Sequence, residues 1–499
     1  MKGIADLAKS AIVVSIGTIF GQSLGLLGEL LIIQFVGPEL LGQIGLSYAI
    51  VSTFGVIALL GVPAGVTRLL SANTESSSSA ILSAGYIIIL TATAISFLVF
   101  LLVSSRIEYV FSVNGMRPFL LLLSPYIFLY PFAEVLFSGL RGKQKSIAAT
   151  ISKWVVPKIA GITLLILLLL TSPPRFGPIV YWLTVPTGMI LTSIVCLRKH
   201  NIYHIGPVDR EMIRKLWRFS WPLALSATLS LFLTRLDLLI LGIYVDATEV
   251  GYYRSIQPFR QITTFVSGSF GFLFLPLATQ FFESDDYSAL NQLYRVSTKW
   301  IISLTLPIVL VFCLFPTSVI KVFLGSAYIP ASSVLSILIG GLFIRAIVGL
   351  DTDFIKAINR TKLELACAAI GVIANLILNF LLIPEFGIIG AAAATVVSFA
   401  IYNIIEVYFI LRISSAHPFT RNNILPLIPT TILAILISLS LTGMIFNLLE
   451  LIVIGILISI IHLLSLILTR SIDQNDIFLI EQMESRLDVD LTWVKNRII

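Results

Sequence analysis

The chain alternates long apolar runs with short polar connections. The runs cover residues 11–36, 43–66, 81–103, 118–140, 154–171, 178–197, 221–243, 256–281, 299–323, 332–350, 363–383, 388–411, 425–446 and 448–469. Most approach the ~20 residues with which an α-helix crosses a hydrocarbon core of ~30 Å. Lipid supplies no hydrogen-bond partners, so a spanning segment is a helix or part of a closed barrel. Barrel strands alternate in polarity over only ~10 residues. The pattern therefore predicts an all-α integral membrane protein of about fourteen transmembrane helices.

Composition agrees. Hydrophobic residues make up 57% of the 499 and charged residues 12%, about half of the ~25% charge of a soluble domain. Too little polar surface remains to coat a water-soluble globule. The first run is longer than the ~7–15 apolar residues of a cleavable signal, so it reads as a span. Cys196, Cys313 and Cys367 fall inside apolar runs with no pair spacing and read as small buried hydrophobes.

Basic residues orient the chain. With the N-terminus in the cytoplasm, most of the 33 Lys and Arg fall on the cytoplasmic side, Lys153 and Lys158 among them. The outer side holds Arg106, Arg117, Arg175, Arg254 and Lys321, while Arg235, Arg260 and Arg345 lie inside spans. This bias expects both termini in the cytoplasm of a multi-pass cell-membrane protein. It also accounts for the net charge of +7 without any nucleic-acid partner. The expected organisation is an N-lobe of six spans (1–197), a cytoplasmic linker (198–220), a C-lobe of six spans (221–411), two further spans (412–469) and a cytoplasmic amphipathic tail (470–499). Within the linker, 209–218 reads as an interfacial helix with Met212, Ile213, Leu216 and Trp217 on one side. In the tail, Ile477, Ile480 and Met483 recur at helical spacing.

The halves match in sequence. Glu29-Leu30-Leu31-Ile32-Ile33 aligns with Asp237-Leu238-Leu239-Ile240-Leu241, and Gly42 with Gly251. Pro174-Arg175-Phe176-Gly177 aligns with Pro384-Glu385-Phe386-Gly387, each expected in a short outer loop. The offset stays close to 209 residues and covers six helices, an even number, so the halves run in the same direction. Parallel repeats predict two six-helix lobes facing across a central cavity, as in alternating-access transporters.

A charge at mid-bilayer costs ~2.5–3.5 kcal/mol, so intramembrane charges mark function by default. Glu29, Arg235, Asp237, Arg260 and Arg345 are the candidate cavity residues. Arg235 would bind an anionic group. Glu29 or Asp237 would hold a proton or sodium ion as coupling ion, or take part in an intra-lobe salt bridge. Arg345 also suits snorkelling to the interface. Ser76–Ser79 reads as a flexible loop. The i, i+4 pair His200 and His204 lacks a third ligand, and no phosphate-binding Gly-rich loop or nucleophile elbow occurs. No metal, cofactor or enzymatic activity is expected.

The stretch from Asn375-Leu376-Ile377-Leu378-Asn379 through Pro384-Glu385-Phe386-Gly387 to Ala394-Thr395 resembles the signature of polysaccharide-biosynthesis flippases, in the multidrug/oligosaccharidyl-lipid/polysaccharide exporter superfamily. Arg235-Leu236-Asp237 to Gly251-Tyr252-Tyr253 is similar to that family's span seven and following loop, and Phe35-Val36-Gly37-Pro38 to Gly42 to the region after span one. The resemblance implies a V-shaped, MATE-like fold. It also implies flipping of a polyprenyl- or dolichyl-linked oligosaccharide from the cytoplasmic to the outer leaflet, with glycan-assembly proteins as partners besides membrane lipids. Arg235 and Asp237 carry over as cavity-region positions. The alternatives are a multidrug cation antiporter of the same superfamily, which wants cavity acids, and a polytopic glycosyltransferase or polymerase, which wants larger outer loops than these.

Overall fold

The computed structural model of the protein describes residues 2–72, 78–171, 173–202, 206–472 and 476. The regular elements among them are helices. Their contacts form two compact units, Met1–Arg254 and Ser255–Ile499. The expected tail helix, His204, and Ser76 and Ser77 of the expected loop lie outside the described residues.

The first unit holds α1 (Lys2–Phe35), α2 (Pro38–Ala58), α3 (Val62–Ser71), α4 (Ser78–Val110), α5 (Arg117–Leu123), α6 (Tyr126–Gly142), α7 (Ser146–Thr150), α8 (Val156–Thr171), α9 (Phe176–Lys199), α10 (Arg210–Tyr244) and most of α11 (Ala247–Ile256). The run 43–66, expected as one span, is two helices. Leu60 and Gly61 take left-handed backbone (φ 47° and 70°) and Pro63 opens α3, which together end one helix and start the next. Between α7 and α8 lies one π-helical turn, Ile151–Val155, in which Val156 N–H donates to Ile151 O. Pro157 is the cause: it has no N–H to offer the Lys153 carbonyl and its ring crowds that group, so the turn widens.

The segment 209–218 is not a separate interfacial helix. It forms the first turns of α10, which continues past Pro222. Leu216 is fully buried with Val66, Leu70, Ile81 and Leu140, and Met212 and Ile213 pack on that cluster. Leu216, Met212 and Ile213 thus cover protein, while Trp217 stays 44% exposed, and no polar break interrupts the helix before the apolar run begins. The expected linker 198–220 therefore lies within the first unit.

The second unit holds α12 (Arg260–Glu283), α13 (Tyr287–Leu314), α14 (Pro316–Phe323), α15 (Ser332–Val348), α16 (Asp351–Ala357), α17 (Thr361–Ser414), α18 (Arg421–Ile424), α19 (Leu427–Ser440) and α20 (Leu448–Leu468). Its core gathers Phe274, Leu293, Tyr294, Phe354 and Ile410, and Tyr294 Oη donates to Val348 O at 2.7 Å. The expected spans 363–383 and 388–411 both fall in α17, which breaks at Gly387 (φ 54°, ψ −131°). Only glycine enters that region freely. The second Pro-x-Phe-Gly is this break, whereas in the first copy Phe176 and Gly177 already belong to α9. The Asn447 side chain accepts from Glu450 N–H and Glu450 Oε2 from Asn447 N–H, a capping box that starts α20.

Eleven helical segments among the described residues are long and apolar enough to cross a membrane. Large apolar side chains face outward on them, including Leu102, Leu170, Leu381, Leu449, Val453 and Leu468. In lipid such a surface carries no penalty. The chain is an all-helical, multi-pass membrane protein.

Candidate functional site

A cavity of 180 Å³ opens inside the first unit. α1 supplies Glu29, α2 Tyr48, and α6 Tyr126, Tyr130 and Glu134. The π turn supplies Lys153 and Trp154, α8 Lys158, and α9 Tyr181 and Trp182. Aromatic rings and four acidic or basic side chains therefore share one small space.

Close helix approach places these side chains. Gly21 and Gly28 recur on one face of α1, and a methyl group on Gly21 would stand 2.4 Å from the Trp154 carbonyl oxygen. On Gly28 it would stand 2.5 Å from Tyr181 Oη. Small residues let α1 lie directly on the π turn and α9. The π turn in turn aims Lys153 and Trp154 at the cavity.

Both carboxylates are neutralised. Glu29 Oε2 accepts from Arg254 Nη2 at 2.7 Å, and its Oε1 accepts from Trp182 Nε1 at 2.9 Å. Glu134 Oε1 accepts from Lys153 Nζ at 2.6 Å. Lys158 makes no ion pair among the described residues; its Nζ lies 5.8 Å from the Tyr181 ring centre. Arg235 makes none either. Its Nη1 donates to Ser52 Oγ and, at 3.4 Å, to Ala49 O, and its guanidinium lies 5.8 Å from the Tyr48 ring centre. Two cations without a direct ion-pair partner among the described residues, Lys158 in the lining and Arg235 beside it, thus belong to an aromatic-lined cavity. Tyr48 stacks on Trp182 with centroids 4.3 Å apart, and Tyr126 on Tyr130 at 5.4 Å.

Of the five residues expected from sequence, Glu29 lines this cavity and Arg235 borders it through Tyr48. Asp237 is buried and accepts from Tyr253 Oη at 2.6 Å and from Leu238 N–H at 2.8 Å. Arg260 donates to Gln257 Oε1 at 3.0 Å, and Arg345 sits in the last turn of α15; both belong to the second unit. Lys153, Lys158 and Arg254 were not among the expected cavity residues, and each sits on a helix with its head in or beside the cavity. The available signal was their company: Lys153 precedes Trp154, and Lys158 follows one helical turn later.

A helical membrane unit holding a charged, aromatic-lined cavity defines a transporter-type membrane protein, and the comparisons agree. The family model described as polysaccharide biosynthesis protein matches residues 7–282, more than half of the chain, and the MatE model matches 222–381. The chain belongs to the polysaccharide biosynthesis protein family, whose flippase and exporter relatives move substrates across membranes. It is 26% identical over 410 residues to a probable low-salt glycan biosynthesis flippase, Agl15, of Haloferax volcanii, covering 81% of this chain and 84% of that one. A second protein of that organism, the probable flippase AglR, is 26% identical over 229 residues, 44% of this chain and 47% of its own. Among solved structures, the lipid II flippase MurJ in an inward closed conformation superposes with a TM-score of 0.69 at 19% identity, over 90% of this chain and 98% of its own. An inward-facing multidrug resistance MATE transporter gives 0.66 at 16% identity, over 81% and 98%. At these identities the two structures establish the fold.

Proposed function

We propose that this chain is a flippase that carries a polyprenyl- or dolichyl-linked oligosaccharide from the cytoplasmic to the outer leaflet of the cell membrane by alternating access between two parallel-repeat lobes, with both termini in the cytoplasm. The observation that carries this reading is the cavity's excess of unpaired cation, Lys158 and Arg235, set among Tyr and Trp rings. A phosphate that leaves water needs cationic donors in place of its hydration. Sugar rings present C–H faces that aromatic side chains can cover. The lipid tail stays in the bilayer while the head group crosses. Names borne by the relatives point the same way.

The multidrug antiporter reading draws on the MatE match. It needs acids able to hold a cationic drug, and both acids in the cavity are already paired to Arg254 and Lys153. The test is lipid-linked oligosaccharide flipping in proteoliposomes. Lys158→Gln and Arg235→Gln are each expected to reduce flipping by about tenfold or more, since a hydrogen bond to a charged group contributes ~1.5–3 kcal/mol. Unchanged flipping in both variants, or efflux of cationic drugs with no flipping by the parent protein, would refute it.

A further inference from the structure

A larger cavity, 390 Å³, lies in the second unit, away from every residue named above as a cavity position. Its volume falls within the ~300–1,000 Å³ of small-ligand sites. The first three turns of α13 form one wall, with Asn291, Arg295 and Lys299; the approach to α19 forms the other, with Thr420, Arg421 and Asn423. Apart from Val296 the lining is amide, hydroxyl and cation, with no carboxylate in it among the described residues.

Arg295 is fixed without being neutralised. Its Nε donates to His417 O at 3.3 Å and its Nη2 meets His417 Nε2 at 2.5 Å. A guanidinium cannot accept, so His417 Nε2 is the acceptor in this contact. Asn423 Nδ2 donates to Arg295 O at 3.2 Å and to Pro418 O at 2.7 Å, and Thr420 Oγ1 donates to Asn423 Oδ1 at 2.6 Å. Lys299 is paired with Asp476 at 2.7 Å. Arg295 and Arg421 have no carboxylate partner among the described residues. A preorganised cation, a second exposed one and a ring of neutral donors are the components of an anion site.

Position identifies the anion's source. The cavity lies where α13 and α18–α19 pass into apolar sequence, Trp300-Ile301-Ile302 and Leu425 onward. Phe419 and Ile424, 41% and 46% exposed, are the chain neighbours of the lining residues Thr420 and Asn423. Basic pockets at the membrane ends of helices hold phosphate head groups. We infer that this cavity binds the phosphate head group of an anionic phospholipid, Arg295 and Arg421 holding the phosphate oxygens while acyl chains run past Phe419 and Ile424.

The test is native mass spectrometry of the full-length purified protein in detergent. It is titrated separately with phosphatidylglycerol, with phosphatidylcholine of the same chains, and with inorganic phosphate. One phosphatidylglycerol is expected to be retained at least tenfold more tightly than phosphatidylcholine. Arg421→Gln, an exposed residue whose loss leaves the fold intact, is expected to weaken retention about tenfold, and R295Q/R421Q to abolish the preference. Arg141→Gln, which removes an exposed charge in the first unit, should change nothing. Equal retention of the two lipids, or a preference that survives R295Q/R421Q, overturns the site. Retention of inorganic phosphate with no lipid preference overturns the lipid as its source.

Discussion

Gly42 and Gly251 offer the sharpest test of the transport reading. A methyl group on Gly42 would stand 1.8 Å from the Ala247 carbonyl oxygen, where ordinary van der Waals contact begins at 3.4 Å. One on Gly251 would stand 1.8 Å from the Pro38 carbonyl oxygen. The start of α2 and the start of α11 therefore touch backbone to backbone, and the two contacts are reciprocal. The offset of 209 that aligns Gly42 with Gly251 also aligns Pro38 with Ala247. Both contacts lie within the first unit.

Neither carbonyl is a flexible side-chain end, so Gly42→Ala must move a helix start. Overpacking of this sort costs ~1–3 kcal/mol. If alternating access closes this contact in one state and opens it in the other, that cost shifts the balance toward the open state by roughly 5–150-fold. The assay is labelling of Leu41→Cys, introduced where Leu41 is 1% exposed, with a membrane-impermeant maleimide after Cys196, Cys313 and Cys367 are replaced by Ser. Gly42→Ala and Gly251→Ala should each raise labelling at least fivefold and slow flipping. Because either substitution opens the same interface, the double variant should add little to the singles. Unchanged labelling in both single variants, with protein folded and in the membrane, would refute the switching role of this contact.

Asp476→Ala strands the buried Lys299 ammonium, which is 5% exposed at its side chain, and also frees Trp300 Nε1. Loss of one partner of a buried pair costs ~3–5 kcal/mol, read as a lowered unfolding temperature in detergent. At Glu249, on α11, burial first and then the neighbouring Asp246 hold the carboxyl above its ordinary range. The folded chain therefore binds this proton more readily than the unfolded one. Its penalty is absent below the ordinary glutamate value and appears as pH rises through the raised one. Glu249→Gln should flatten that part of the stability–pH profile, and an unchanged slope would contradict it. Pro157→Ala restores an N–H to the Lys153 carbonyl and should convert the π turn to regular helix, rotating Lys153 and Trp154 off the cavity. Flipping should fall with little change in unfolding temperature.

The all-helical membrane character was legible because each apolar run stands alone as a signal. Breaks inside runs were harder to read. The turn at Gly61 needs a left-handed residue that the surrounding hydrophobic pattern hides, and the π turn at Ile151–Val155 depends on a proline two residues beyond it. Leu216 shows the opposite failure. An amphipathic stripe says that one face seeks apolar surroundings, but not whether lipid or Val66 and Leu70 supply them.

The cavity cations were missed for a related reason. Counting Lys and Arg by side treats each as a loop charge, and the count that orients the chain is the count that hides Lys153, Lys158 and Arg254. A lysine at a span end can reach into water, or it can turn inward where a small-residue face leaves room, and hydropathy is the same in both cases. Here Lys153 turns inward to Glu134, while Gly21 lets the neighbouring Trp154 backbone pack directly on α1. Arg254 is settled by Glu29, which could not remain in the apolar run of α1 without a counter-charge. A buried acid therefore predicts a cation drawn in from a neighbouring connection. Once Glu29 and Glu134 have claimed Arg254 and Lys153, Lys158 and Arg235 remain without a carboxylate among the described residues, and the charge they lack is the charge that a phosphate-bearing substrate would bring.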